Sequence, residues 1–116
     1  MDDLVPAVAS GFGGGIARTG LVCGAISGAA MAAGCLYGRG MPEEDPGTLY
    51  AIVSSLVGDF ASTFGVTSCR DLVGYALCDP AEFKAALESR VFAEKCACFV
   101  EFCAVTMYGM LVKSPT

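Results

Sequence analysis

Apolar residues recur along most of this chain at helical spacing, interrupted by strong breakers. Leu49, Ile52, Val53, Leu56, Phe60 and Phe64 fall three and four apart, while Asp59 and Ser62 fall off that stripe. This is the clearest amphipathic helix in the chain. Asp45 offers an N-cap, Pro46 suits the first helical position, and Gly65 closes the helix. A short helix is expected over the first ten residues. The run Gly11-Phe12-Gly13-Gly14-Gly15 then breaks any regular element. A long helix is predicted from about Gly20 to Leu36, ending at Gly38-Arg39-Gly40, with an acidic loop over Met41 to Asp45. Ser68 reads as an N-cap with Asp71 in the first turn, opening a short helix to about Leu77. Asp79-Pro80-Ala81-Glu82 reads as a capping box. It opens a helix to about Arg90 with Phe83 and Leu87 inward. The last helix, from about Phe92 to Leu111, is apolar nearly all round and is predicted to be the central one. The fold class is therefore all-α: a single compact domain of about five or six helices over residues 1–116.

Composition narrows the function classes. The chain has 116 residues, 54% apolar and 16% charged, which excludes disorder for its bulk. Seven basic against twelve acidic residues give a net charge of -5, so no basic face for nucleic acid is expected. There is no histidine, which removes His-based general base catalysis, a Ser-His-Asp triad and the common zinc sites. Residues 19 to 38 carry no charge, and the mean hydropathy of the whole chain is +0.60. That segment has the length of a membrane span, but it is built of Ala, Gly, Ser and Cys. A buried helix is the expectation, with no membrane partner. The acidic start, MDDLVPAVAS, does not resemble a signal peptide, so a cytoplasmic location is expected.

The seven cysteines are the unusual feature: Cys23, Cys35, Cys69, Cys78, Cys96, Cys98 and Cys103. In a reducing compartment thiols persist unless they are catalytic, redox-sensing or metal-bound. No CxxC pair occurs, so thioredoxin-type and zinc-ribbon motifs are absent. Cys23 is placed in the first turn of the long helix, and Gly24 and Gly28 one turn apart leave a face without side chains. Another helix, a second subunit or a cofactor is expected to approach that face closely. Cys69 follows an N-cap and stands beside Arg70, both of which favour thiolate. Cys96 and Cys103 lie roughly 10 Å apart along the last helix, and Cys98 points about 200° away from Cys96 on a regular helix. Cys103 reads as core. A functional cluster must therefore be tertiary, gathering Cys23, Cys69 and Cys96 from three helices.

GFGGGIARTGLVCGAISGA, FGVTSCRDLVG and EKCACFV together resemble the CGAxxG, or C-GCAxxG-C-C, family of redox-active proteins. The resemblance runs from about Gly11 to Val100. It implies a small cytoplasmic redox protein, with Cys23, Cys69 and Cys96 matching three of the family's cysteines. It also implies a further cysteine on a helix upstream of the glycine run. The ten residues before Gly11 contain none, so Cys35, Cys78 or a second subunit is the candidate substitute. A shortened N-terminal helix would also expose apolar surface, which favours a homodimer.

Two function classes follow. In the first, Cys23, Cys69 and Cys96 act in redox chemistry with an unidentified redox partner. Either two thiols cycle with a disulfide, or the three hold an iron–sulfur cluster. Backbone N–H groups near Gly13, Gly14, Gly15, Gly24 and Gly28 would then stabilise the cluster's negative charge. The missing fourth cysteine favours thiol chemistry. A three-cysteine zinc site would need Asp71 or Asp79 as fourth ligand. In the second class the chain is a non-catalytic helical interaction or membrane-associated component. A phosphate loop at Gly11–Ile16 is a weaker third option. It has no GxGxxG pattern and no following Lys-Ser/Thr; the plainer reading is a sharp turn beneath the Cys23 helix.

Overall fold

The computed structural model describes residues 8–38 and 44–113; most of the expected N-terminal helix and the segment from Arg39 to Glu43 lie outside the described residues. The chain is all-α. A 3-10 turn, Ser10–Phe12, precedes α1 (Gly24–Tyr37), α2 (Gly47–Phe64), α3 (Cys69–Val73), α4 (Pro80–Ser89), a π turn (Phe92–Cys96) and α5 (Ala97–Lys113). Among the described residues extended pairing is limited to one isolated antiparallel bridge, between Val22 and Ser68. No helix among them is long and apolar enough to cross a membrane.

The predicted stripe of α2 is the centre of the core. Leu56 and Phe60 are fully buried, and Leu49, Ile52, Val53 and Phe64 pack against them. Helices α1 and α5 close over α2. Phe60, Phe64, Phe99 and Phe102 interlock, with Phe64 edge-on to Phe99 at 5.0 Å and to Phe102 at 5.2 Å. Such pairs add about 0.5–1.5 kcal/mol beyond their burial. A second, smaller cluster of Cys69, Val73, Leu77, Ala86 and Val91 joins α3 and α4 to the start of the last helix.

The caps largely follow their signals. Ser68 Oγ accepts from the Asp71 N–H at 3.2 Å, and Asp79 Oδ1 accepts from the Ala81 N–H at 3.0 Å. Gly65 closes α2 at φ 84°, its N–H donating to the Ala61 carbonyl. Other expectations are corrected. Glu82 does not return to Asp79; its Oε1 accepts from the Ala76 N–H, while the Asp79 N–H donates to the Ala76 carbonyl. Pro46, and not Asp45, stands at the N-cap, so α2 starts one residue later than predicted, and the Asp45 carboxylate accepts from the Gly47 N–H.

Helix α1 begins at Gly24 because residues 21–23 are drawn out against Thr67–Cys69 across the Val22–Ser68 bridge. The short helix α3 stops at Val73, where Gly74 turns left-handed at φ 81°. Leu87 faces out, 53% exposed, and Ala86 is the buried residue of α4. Nor is the last helix the most buried: Phe99, Cys103 and Met107 face the core, but Val100, Val105 and Tyr108 are exposed.

Phe60→Ala should lower unfolding free energy by about 3–5 kcal/mol, because it empties the centre of the aromatic cluster. Leu87→Ala should change it by less than about 0.5 kcal/mol, the range of exposed positions. Urea unfolding of both variants checks the assignment.

Candidate functional site

The bridge between Val22 and Ser68 sets the site. The Cys23 N–H donates to the Thr67 carbonyl at 2.9 Å, and the Cys69 N–H donates to the Leu21 carbonyl at 2.6 Å. This is the pattern of a non-hydrogen-bonded antiparallel pair at Val22 and Ser68. Side chains alternate along such backbone, so Cys23 and Cys69 project to one side, diagonally across the bridge. Diagonal neighbours stand about 7–8 Å apart. The short Leu21–Cys23 and Val66–Thr67 segments, each rich in β-formers before a helix start, carried the signal for this bridge.

The glycine run wraps over the bridge. Gly14, Gly15, Ile16, Ala17 and Arg18 are all left-handed, with φ between 51° and 71°, and Gly20 follows at 79°. Wide hydrogen-bonded loops close the wrap: Ala17 N–H to the Gly11 carbonyl, Gly20 N–H to that of Gly14, and Leu21 N–H to that of Gly15. Thr19 Oγ1 donates within reach of both the Gly15 and Ile16 carbonyls, each at 2.7 Å. Left-handed backbone costs a non-glycine residue about 1–2 kcal/mol, and a β-branched residue such as Ile16 rarely adopts it. Tertiary contacts hold it there. The Arg18 guanidinium stacks 4.0 Å over the Phe83 ring centroid, tying the wrap to α4.

Gly15 is buried against the site itself. A Cβ there would stand 2.6 Å from Leu21 N and 2.7 Å from Cys69 Cβ. Gly20 and Gly24 are likewise close, to Arg70 Cβ (3.0 Å) and to the Phe12 carbonyl (3.1 Å). The loop is thus the sharp turn beneath the Cys23 helix that its composition suggested.

A cavity of about 380 Å³ lies under this wrap, and Cys23, Cys69 and Cys96 all line it. Gly13, Gly14 and Gly24 form part of its wall, as do Phe12, Phe92 and Val100. Gly28, by contrast, is absent from this cavity, and no atom approaches within 4 Å of a Cβ placed there. Close approach to the glycine face of α1 therefore occurs at Gly24 and not at Gly28. Cys23 and Cys69 are buried, and Cys96 is half-buried at the end of the π turn. Cys103 is also buried, in the core, while Cys35, Cys78 and Cys98 are exposed and off the cavity. Cys98 lines a separate surface recess with Glu94, Lys95 and Asp71, away from Cys96 as expected.

Among the described residues, no charged side chain lines the thiol cavity. Burial pushes the Cys69 thiol up, and negative charge on Cys23 and Cys96 adds to the rise. This overturns the expectation that the helix start and Arg70 favour a thiolate at Cys69. Arg70 is exposed, and desolvation outweighs both. Cys96 is raised by burial and by Cys23, and Cys103 is pushed up to about 11 by the same two causes.

The donor set does not fit a four-cysteine cluster. Three thiols reach the cavity, and none of the other four cysteines lines it. Among the described residues, no three Cys, Asp or Glu side chains are grouped to hold a metal ion. Asp71 and Asp79 are exposed and line other surfaces.

An all-α domain with thiols from three separate segments around one uncharged cavity defines a cysteine-centred helical protein. The family model described as "Putative redox-active protein (C_GCAxxG_C_C)" matches residues 1–110, and the chain belongs to that family. No curated protein and no solved structure matches it.

Gly15→Ala should destabilise the fold by about 1–3 kcal/mol, because it adds a clash to a left-handed position. Gly58→Ala, exposed within α2 and with nothing near its Cβ, should stabilise by about 0.5–1 kcal/mol. Thermal or urea unfolding separates the two.

The raised thiols also make stability pH-dependent. The unfolded chain releases these protons first, so the Cys103 contribution is complete below about pH 9 and is lost as pH rises toward about 11, with Cys69 and Cys96 acting in the same direction. Urea midpoints should fall over that window, and the Cys103→Ala variant should show a shallower fall.

Proposed function

We propose that the chain is a thiol–disulfide redox protein working through Cys23, Cys69 and Cys96. The observation that carries this reading is the placement of Cys23 and Cys69 on one side of the Val22–Ser68 bridge, over a cavity that Cys96 also lines. Burial holds Cys69 and Cys96 as thiols, which suits resolving roles and leaves attack to Cys23. The Cys23 sulfur attacks a disulfide of the oxidant, one oxidant thiol leaves, and a mixed disulfide forms. Cys69 then displaces the second oxidant thiol. Across the cycle two protein S–H bonds are lost, one S–S bond forms, and two electrons and two protons pass to the oxidant.

A disulfide needs Cα atoms within about 7 Å, so a diagonal pair closes only with a small backbone shift at the bridge. That requirement favours a reversible bond over a permanent structural one. Membership of a family described as redox-active supports the reading, as does the uncharged cavity. The cytoplasmic location expected from the sequence is the reducing setting in which such a cycle has a use.

Anaerobically reduced protein should lose two thiols, reversibly, when equilibrated with a graded oxidised/reduced dithiol buffer. Cys23→Ser and Cys69→Ser should each abolish that loss, and Cys35→Ser and Cys98→Ser should leave it intact. A reading without redox-active thiols gives no intramolecular loss in any variant. Stoichiometric iron and acid-labile sulfide in the anaerobic protein, lost in the Cys23 and Cys69 variants, would overturn thiol exchange in favour of a cluster.

A further inference from the structure

The Gly14–Arg18 wrap holds strained backbone that its own side chains do little to stabilise. Ile16, Ala17 and Arg18 are left-handed at φ 65°, 51° and 67°, a region that residues with a Cβ rarely adopt. Ile16 is 40% exposed, and Ala17 and Arg18 are exposed as well, so burial of these side chains does not offset the conformation. Such backbone persists only where its surroundings over-determine it, and it gathers at functional sites. Two clasps hold the wrap from its edge. The Thr19 hydroxyl bonds the Gly15 and Ile16 carbonyls, and the Arg18 guanidinium lies on the Phe83 ring.

The third hold is the thiol bridge itself. The Leu21 N–H donates to the Gly15 carbonyl at 3.0 Å, and the Leu21 carbonyl accepts from the Cys69 N–H. Leu21 is therefore tied to the wrap on one side and to Cys69 on the other. A Cβ on Gly15 would stand 2.6 Å from Leu21 N, 2.7 Å from Cys69 Cβ and 2.8 Å from the Leu21 carbonyl oxygen, so Gly15 has no clearance from either residue. A diagonal pair of cysteines closes its disulfide only when the bridge shifts. Any shift of Leu21 or Cys69 presses on Gly15 and unseats the wrap.

We propose that the wrap is a strained strap over the dithiol, seated while Cys23 and Cys69 are thiols and released when they form a disulfide. This rests on the thiol–disulfide reading above. Release lets Ile16, Ala17 and Arg18 leave the left-handed region and uncovers Cys69. The oxidant and the reductant of the cycle then meet two different surfaces. Reciprocal coupling fixes the sign. A change that loosens the seated strap favours the disulfide, and a change that relaxes its strain in place favours the dithiol.

The test is tryptic cleavage after Arg18 in the wild-type chain, reduced and then oxidised with diamide. Two thiols give their hydrogens to the diazene nitrogens, which become a hydrazine as one S–S bond forms. Cleavage after Arg90, at the end of α4, is the internal reference. Arg18 should be cut at least about tenfold faster in the oxidised chain, with Arg90 cut at an unchanged rate. Two variants away from the thiols read the coupling. Ala17→Gly removes the left-handed cost in place and should shift the dithiol–disulfide equilibrium toward the dithiol. Arg18→Ala removes the clasp on Phe83 and should shift it toward the disulfide, each by about threefold or more.

A disulfide joining Cys23 to Cys69 with cleavage after Arg18 unchanged would overturn the strap and leave the thiol reading standing. So would equal acceleration at Arg18 and Arg90, which reports general loosening. Shifts of one sign in both variants, or none, would also overturn the strap. Absence of any intramolecular disulfide under diamide would overturn the thiol reading itself.

Discussion

Two hydrogen bonds across the Val22–Ser68 bridge are the constraint on which the rest of the structure depends. They delay α1 to Gly24 and fix the entry to α3. They also turn two cysteines forty-six positions apart toward one cavity. The bridge is too short to be a sheet and is held from outside. The left-handed wrap of Gly14–Arg18 lies over it, with Gly15 against Cys69 Cβ. The wrap in turn is held by the Thr19 hydroxyl and by Arg18 on Phe83. Strain in the wrap is offset by contacts that only the assembled fold provides, so the thiol site and the fold form together.

The helices supply the rigid frame. The aromatic cluster of α2 and α5 fixes where Phe99 and Cys103 sit, and the π turn before α5 sets the register that brings Cys96 to the cavity. Burial there holds Cys69 and Cys96 as thiols.

Much of this was legible in the sequence, and the failures have physical reasons. Caps at Ser68, Asp79 and Gly65 are local chemistry, and local rules found them. The α2 stripe was found because its periodicity is strong. The gathering of Cys23, Cys69 and Cys96 could be argued from the impossibility of pairing them along one helix, and all three line one cavity. The bridge was missed because a pair of residues makes no periodic signal. The wrap was missed because Ile16, Ala17 and Arg18 do not normally turn left-handed, and only tertiary contacts hold them so. Leu87 was misplaced because Ala86 sits one position away, and the smaller residue is the one that fits the close approach of α4 to the second cluster. The Cys69 thiol was misjudged because helix-end and Arg70 effects are local, whereas desolvation depends on everything packed around it.

The central claim is that the bridge brings Cys23 and Cys69 into reach of one another. Peptide mapping of the mildly oxidised monomer under non-reducing conditions tests it most directly. The account expects a fragment joining the Cys23 peptide to the Cys69 peptide, with Cys35, Cys78 and Cys98 recovered as free thiols. Linkages confined to Cys35, Cys78 or Cys98, with Cys23 and Cys69 still reduced, would contradict it.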